Sequence, residues 1–188
     1  FLRERPERGL MFMAQSQTNF KDTALFKMGH SWELKVAAFL KNRGNYVIPS
    51  YDYSGEENDK APKLQGALSE YVIPDLDVSK DGERRWVEVK SKTGTVLHRN
   101  SGDYVHGIPK RHYQSYLEVA KITGCEVWIV ICEENTGDIL VANLSSLPIH
   151  HEYDGPKMSK GGMVFFNRNS FTLLTKTPTN AVTLAGAR

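Results

Sequence analysis

Between Asp22 and Arg43 apolar residues recur at spacings of three and four: Leu25, Met28, Trp32, Val36, Phe39 and Leu40 fall on one stripe, and Gly44 stands where a helix would end. The spacing predicts an amphipathic helix. Its one irregularity is Glu33, an acid at the edge of the apolar face, where a surface helix would carry alanine or leucine. After Gly44 the period changes. Tyr46-Val47-Ile48 reads as a short strand ended by Pro49, and residues 50–69, polar and rich in Gly, Asp, Glu, Asn and Lys, predict a long loop. Tyr71–Val78 and Arg84–Lys92 then predict two strands, joined by Lys80-Asp81-Gly82-Glu83, whose Asp-Gly pair favours a hairpin turn. Strand side chains alternate faces, so Glu88 and Lys90 project on one side and Val87 and Val89 on the other. By the same alternation Asp75 and Asp77 share a face of the first strand.

Thr93–Gly107 is again loop-like and contains His98, Arg99, Tyr104 and His106. Pro109 suits the first position of a helix, Lys110–Thr123, that ends at Gly124 and carries the stripe Tyr113, Tyr116, Leu117 and Ala120. His112 and Tyr116, four apart, are neighbours on that helix. Glu126–Cys132 is a near-continuous apolar run, as expected of a strand buried on both faces, and a helix leading into it implies a crossover and a parallel or mixed pairing. Asn135–Asp138 predicts a turn into a strand at Ile139–Ala142. An irregular segment follows from Ser145, and Met163–Phe166 and Phe171–Leu174 predict short edge strands. The expected fold is α/β, a central mixed sheet flanked by helices, as one domain over residues 21–175 with tails at 1–20 and 176–188.

Composition changes this picture little. With 188 residues, 40% hydrophobic and 24% charged, the chain is that of an ordinary globular domain with room for a core. No apolar run approaches the length of a membrane span, and the basic N-terminal stretch FLRERPERGL lacks the apolar core of a signal peptide, so an intracellular, cytoplasmic location is expected. Cys125 and Cys132 lie at the two ends of one predicted strand, too far apart to bridge, and read as buried thiols of a reducing compartment. The net charge of +2 is only mild support for a polyanionic partner, although Arg84, Arg85, Lys90, Lys92 and Arg99 gather near the hairpin. Lys157–Gly162 is a basic, glycine-containing loop able to touch phosphate, whereas His150, His151 and Glu152 lack spaced partners and predict no zinc site.

The charges on the hairpin invite two explanations. One is a solvated strand face with cross-strand pairs worth about 0.2–1 kcal/mol each. The other is a metal site, because two carboxylates a few ångströms apart repel unless a cation sits between them. Asp75 and Glu88, completed by the Val89 carbonyl, would suffice as the protein's share of a Mg²⁺ shell.

The order Pro74-Asp75, then Glu88-Val89-Lys90 on the next strand, resembles the signature of the PD-(D/E)XK nuclease superfamily. The resemblance covers roughly residues 25–142 and implies a restriction-endonuclease-like core. It makes Asp75 and Glu88 metal ligands and Lys90 the catalytic lysine, leaving Asp77 outside the motif as a supporting group. In that superfamily a helix preceding the sheet commonly supplies one more acid, and Glu33 looks like it; pairing of Glu33 with Lys27 or Lys41 is the alternative. His112 and Tyr116 correspond to the Gln-x-x-x-Tyr motif of several exonuclease branches, with His in place of Gln, or are a surface histidine beside a core tyrosine. The function implied is a Mg²⁺- or Mn²⁺-dependent deoxyribonuclease, an endonuclease, with Lys110, His112 and Tyr116 meeting the DNA. The short core with its acidic first helix looks like that of Holliday-junction resolvases, which act as dimers. A non-catalytic nucleic-acid-binding module retaining the fold is the alternative.

Overall fold

The computed structural model of the chain describes residues 24–50, 61–155 and 158–176; the expected N-terminal tail, the expected C-terminal tail after Lys176, the middle of the long loop and Lys157 lie outside them. The first helix, α1, spans Ala24–Asn42 and buries Trp32, Val36 and Ala37, the part of the apolar stripe that faces inward. Five strands follow: β1 (Tyr46–Pro49), β2 (Lys63–Gln65), β3 (Glu70–Val72), β4 (Leu76–Lys80) and β5 (Glu83–Lys92). The turn between β4 and β5 puts Asp81 at φ 51° and Gly82 at φ 83°. Two successive left-handed residues are what a tight hairpin turn demands, and Asp-Gly meets that demand at least steric cost.

The expected first strand of the hairpin is broken. Pro74 has no N–H to give to a ladder, and the chain turns there, so Tyr71–Val78 becomes β3 and β4 with Ile73-Pro74-Asp75 between them. β3 leaves the main sheet to pair with β2, a strand within the segment read as loop. Asp75 therefore lies outside regular strand, where its main-chain carbonyl accepts a hydrogen bond from Ser50 N at 2.8 Å.

Beyond β5 come β6 (Val96–His98), β7 (Asp103–Pro109), α2 (Lys110–Thr123), β8 (Glu126–Glu133), β9 (Asp138–Asn143), β10 (Ile149–Tyr153), β11 (Met163–Asn167) and β12 (Thr172–Lys176). The main sheet has the order β1-β4-β5-β8-β9-β12 and is antiparallel except between β5 and β8. That parallel pair requires a crossover, which α2 supplies. Pro109 caps the helix one residue before the expected position, and Gly124 ends it at φ 66°. The two helices cover opposite faces of the sheet. Trp32, Val36, Leu76, Val78, Val87, Val89 and Val130 make the core beneath α1, and Trp86, Tyr116, Val119, Val127, Ile129 and Ile131 make the core beneath α2.

A second sheet, β10-β11-β7-β6, is antiparallel throughout and was not expected. Residues 96–98 and 103–109 are strand rather than loop, and Met163–Asn167 is an interior strand rather than an edge, because β7 and β10 pair with it on either side. Ile108, Val164 and Phe166 from this sheet enter the core under α2. Fully burying such side chains contributes about 1.5–3 kcal/mol each, enough to order strands whose own sequences carry weak strand signals. Cys125 and Cys132 are both free thiols, and Cys132 is buried.

Candidate active site

The parallel pairing of β5 with β8 holds the middle of β5 in the interior, with Glu88 opposite Ile129 and Lys90 opposite Ile131. Glu88 is 1% exposed. The Lys90 ammonium is in ion contact with Glu88 Oε1, and the Tyr116 hydroxyl lies against the same carboxylate. Asp75, half-buried at the break between β3 and β4, accepts a hydrogen bond through Oδ2 from the Val89 N–H at 2.8 Å. That bond brings the side chain of the Pro-Asp dipeptide to the strand that carries Glu88 and Lys90.

Burial pushes the Asp75 carboxyl well above the ordinary aspartate range, and the neighbouring Glu88 and Glu33 charges push it the same way, against the opposing effect of Lys90. Burial acts to lower the Lys90 ammonium, but Glu88, Asp75 and Glu33 outweigh it and hold the amine protonated beyond the ordinary lysine range. Two carboxylates sharing one ammonium leave excess negative charge in a confined place, which a divalent cation would neutralise. The side-chain donors at hand are carboxylate oxygens, a set that suits a hard ion such as Mg²⁺ or Mn²⁺.

Each helix adds to the site from its own side of the sheet. Glu33 of α1 is close enough for its charge to act on both Asp75 and Lys90, while His30 Nδ1 stands 3.3 Å from its carboxylate, one turn back on the helix. From α2, Tyr116 is 2% exposed and its hydroxyl is 3.4 Å from His112 Nδ1. Burial, with Glu88 and Asp75 beside it, raises the Tyr116 hydroxyl well above its usual range, so it remains a neutral hydrogen-bond donor. Burial and the nearby Lys90 lower the half-buried His112 imidazole, which is therefore neutral near pH 7. Asp75, Glu88, Lys90, Glu33, His112 and Tyr116 thus form one electrostatic neighbourhood.

Two expected participants lie elsewhere. Lys110, at the start of α2, is paired with Glu152 of β10 and, at 2.9 Å, with Asp154. Asp77 is 5% exposed and receives both Nε (2.9 Å) and Nη2 (2.6 Å) of Arg84, a forked ion pair inside the hairpin away from the break that holds Asp75. His150 and His151 do have a partner. His98, on β6, brings the ligand atoms of the three rings within 4.8 Å of one another. Sequence distance hid it, since the partner lies about fifty residues upstream in a segment read as loop.

This arrangement of elements has a counterpart among solved structures. The Holliday junction resolvase Hjc of Archaeoglobus fulgidus, an archaeal hyperthermophile, superposes with a TM-score of 0.50 at 10% identity, covering 78% of this chain and 92% of that one. The chain shares the fold of that resolvase. D212, a nuclease from a fusselovirus, matches with a TM-score of 0.39 at 12% identity over 79% of this chain and 84% of its own. No family model and no curated protein sequence matches. Among the described residues no helix is long and apolar enough to cross a membrane.

Proposed function

We propose that the protein is a divalent-metal-dependent endonuclease that hydrolyses phosphodiester bonds in DNA. The observation that carries this reading is the convergence of the Glu88 carboxylate, buried at 1% exposure, with Asp75 and Lys90. One ammonium between these two desolvated carboxylates leaves net negative charge that costs several kcal/mol unless a further cation joins it. Asp75, Glu88 and the Val89 carbonyl would hold Mg²⁺ or Mn²⁺, with Glu33 holding a second ion or a water of the first. Such an ion supplies Lewis-acid polarisation of the phosphate and a more acidic water.

The chain's own groups divide the remaining work. Lys90, held protonated by the surrounding carboxylates, is no proton acceptor at neutral pH; it orients the attacking water and stabilises charge developing on the phosphate. Tyr116, a neutral donor, fixes the Glu88 carboxylate, and neutral His112 borders the place where the nucleic acid would lie. Lys92 continues the face of Lys90 along β5, and exposed Arg111 lies in the first turn of α2, so both suit phosphate contacts that weaken with salt. Lys110 joins them only by exchanging Glu152 and Asp154 for phosphate oxygens. The likeness to a Holliday junction resolvase supports branched DNA as a first substrate.

The test is cleavage of plasmid, linear duplex and four-way junction DNA with Mg²⁺, with Mn²⁺ and with chelator, set against Lys90→Ala. Metal-dependent cleavage lost in the variant supports the reading. Binding without cleavage under every ion would leave a nucleic-acid-binding module, and cleavage unchanged in Lys90→Ala would remove the site from the reaction.

A further inference from the structure

On the second sheet, remote in sequence from the hairpin, a β-bulge interrupts the pairing of β10 with β11. Ile149 faces Phe166 and His151 faces Phe165, so His150 is the extra residue. Regular alternation would send consecutive side chains to opposite faces, whereas a bulge re-aims one of them. The His150 and His151 rings accordingly come together, with centroids 5.0 Å apart. His98 completes the group, stacked on His151 at 4.2 Å and edge-on to His150 at 5.0 Å. Phe165 backs the cluster by stacking on His151 at 4.5 Å.

The hydrogen bonds around these rings orient their lone pairs. His150 Nε2 lies 2.9 Å from Asp103 Oδ2 and donates its proton to that carboxylate, which leaves Nδ1 as a lone-pair nitrogen. His98 Nδ1 is held at 2.9 Å by Ser101 Oγ. The Nδ1 atoms of His150 and His151 face each other at 2.7 Å, and two lone pairs cannot do so without a proton or a cation between them.

We propose that His98, His150 and His151 form a binding site for a zinc-type divalent transition-metal ion, with Asp103 orienting His150 and the fourth position left to water or a ligand. Three imidazole nitrogens suit a borderline ion such as Zn²⁺ or Co²⁺ and not Mg²⁺, so this site is chemically separate from the carboxylate site on β5. A carboxylate behind a ligating histidine is the usual support of such an ion. Tetrahedral bonds of about 2.0–2.1 Å place ligand nitrogens about 3.4 Å apart, so the two Nδ1 atoms separate by several tenths of an ångström as the ion replaces the shared proton. The ion ties β10 to the β6–β7 hairpin, the two edges of the second sheet.

Co²⁺ and Zn²⁺ titration of the whole chain tests this, against Glu88→Gln, His98→Gln and His151→Gln. Expected are the visible d–d bands of low-coordinate cobalt in wild type and in Glu88→Gln, and their loss in both histidine variants. Asp103→Asn should weaken binding by about 10- to 100-fold. On the wild-type protein Zn²⁺ should shift the ring resonances of His98, His150 and His151 while those of His30 and His112 stay put, and this does not depend on any variant folding. Absence of cobalt bands in wild type, ring resonances unmoved by Zn²⁺, or bands that survive His151→Gln would each overturn the proposal.

Discussion

The Asp75 carboxylate accepts a hydrogen bond from the main-chain N–H of Val89 at 2.8 Å. The bond joins a residue in the interruption between β3 and β4 to the middle of β5, so Asp75 is positioned by β5 rather than by a strand of its own. Precision at that place matters, because Glu88 and Lys90 flank Val89 and a displaced Asp75 would part the two carboxylates.

Asp75→Asn separates this positioning role from charge. The amide oxygen still accepts from Val89, so the fold should melt no lower than the wild type, while cleavage should fall by about 10²- to 10³-fold for loss of one preorganised electrostatic group. Rates on a junction substrate and a thermal melt check both halves. Undiminished cleavage would show that Asp75 has no part in the reaction.

The raised Asp75 carboxyl sets the sign of a pH effect. The folded chain keeps its proton above the ordinary value of 3.8, so it binds more protons than the unfolded chain, and stability falls as pH rises from that value through the raised one. Chelator-treated protein should therefore lose melting temperature across that window, and Asp75→Asn should abolish the loss. Mg²⁺ should raise the melting temperature increasingly as pH rises, since it binds the ionised form. A flat profile in chelator would contradict the electrostatics described for the site.

Tyr116→Phe removes a buried hydroxyl that touches a charged group, an interaction worth about 1.5–3 kcal/mol. Because Tyr116 also fills the core with its ring, Phe preserves packing. The expected result is a roughly tenfold or greater rise in the Mg²⁺ concentration needed for half-maximal cleavage, with melting lowered by the lost hydrogen bond alone and not by a cavity. Unaltered Mg²⁺ dependence would reduce Tyr116 to a core residue.

Asp77 provides the contrast. It is 5% exposed and bound by the Arg84 fork, so Asp77→Asn should cost about 1–3 kcal/mol of stability while leaving the metal dependence of cleavage unchanged. Chemical denaturation beside a cleavage assay distinguishes this from a role in the site.

Why Asp75 and Asp77 part company shows what the sequence could and could not reveal. The Asp-Gly turn, the alternation around Val87 and Val89, the stripe of α1 and the apolar run of β8 are local signals, and each element formed as its pattern required. The break at Pro74 was marked by a missing donor, but alternation read straight through it placed both aspartates on one face. The second sheet carried no such signal. VLH, DYVHGIP and IHHEY are short and polar, and they become strands because β11 supplies partners and the core takes Ile108, Val164 and Phe166. The three-histidine cluster was hidden for the same reason, since a bulge and a sheet edge are tertiary facts.

Glu133 carries the last prediction. It ends β8 at 1% exposure and receives His106 Nε2 at 2.7 Å, Arg168 Nε at 2.9 Å and Nη2 at 2.8 Å, and the Thr136 hydroxyl at 3.1 Å. This network fixes β7 and the turn after β11 to the main sheet. Burial opposes the Glu133 carboxylate, yet the Arg168, His106 and Thr136 bonds outweigh it and hold it below the usual glutamate range. A depressed carboxyl contributes stability above its ordinary value of 4.5 and loses it as pH falls through the lowered one. His106, lowered by burial, adds a second acid-side loss that begins as pH falls below its ordinary 6.5. Glu133→Gln should cost about 2–4 kcal/mol, at the lower side of buried-pair losses because Arg168 keeps 30% of its side chain in water. It should also remove the lower of the two acid limbs while keeping the upper one. Melting temperature followed from neutral to acid pH reads both, and a variant with the wild-type profile would show that the network does not join the two sheets.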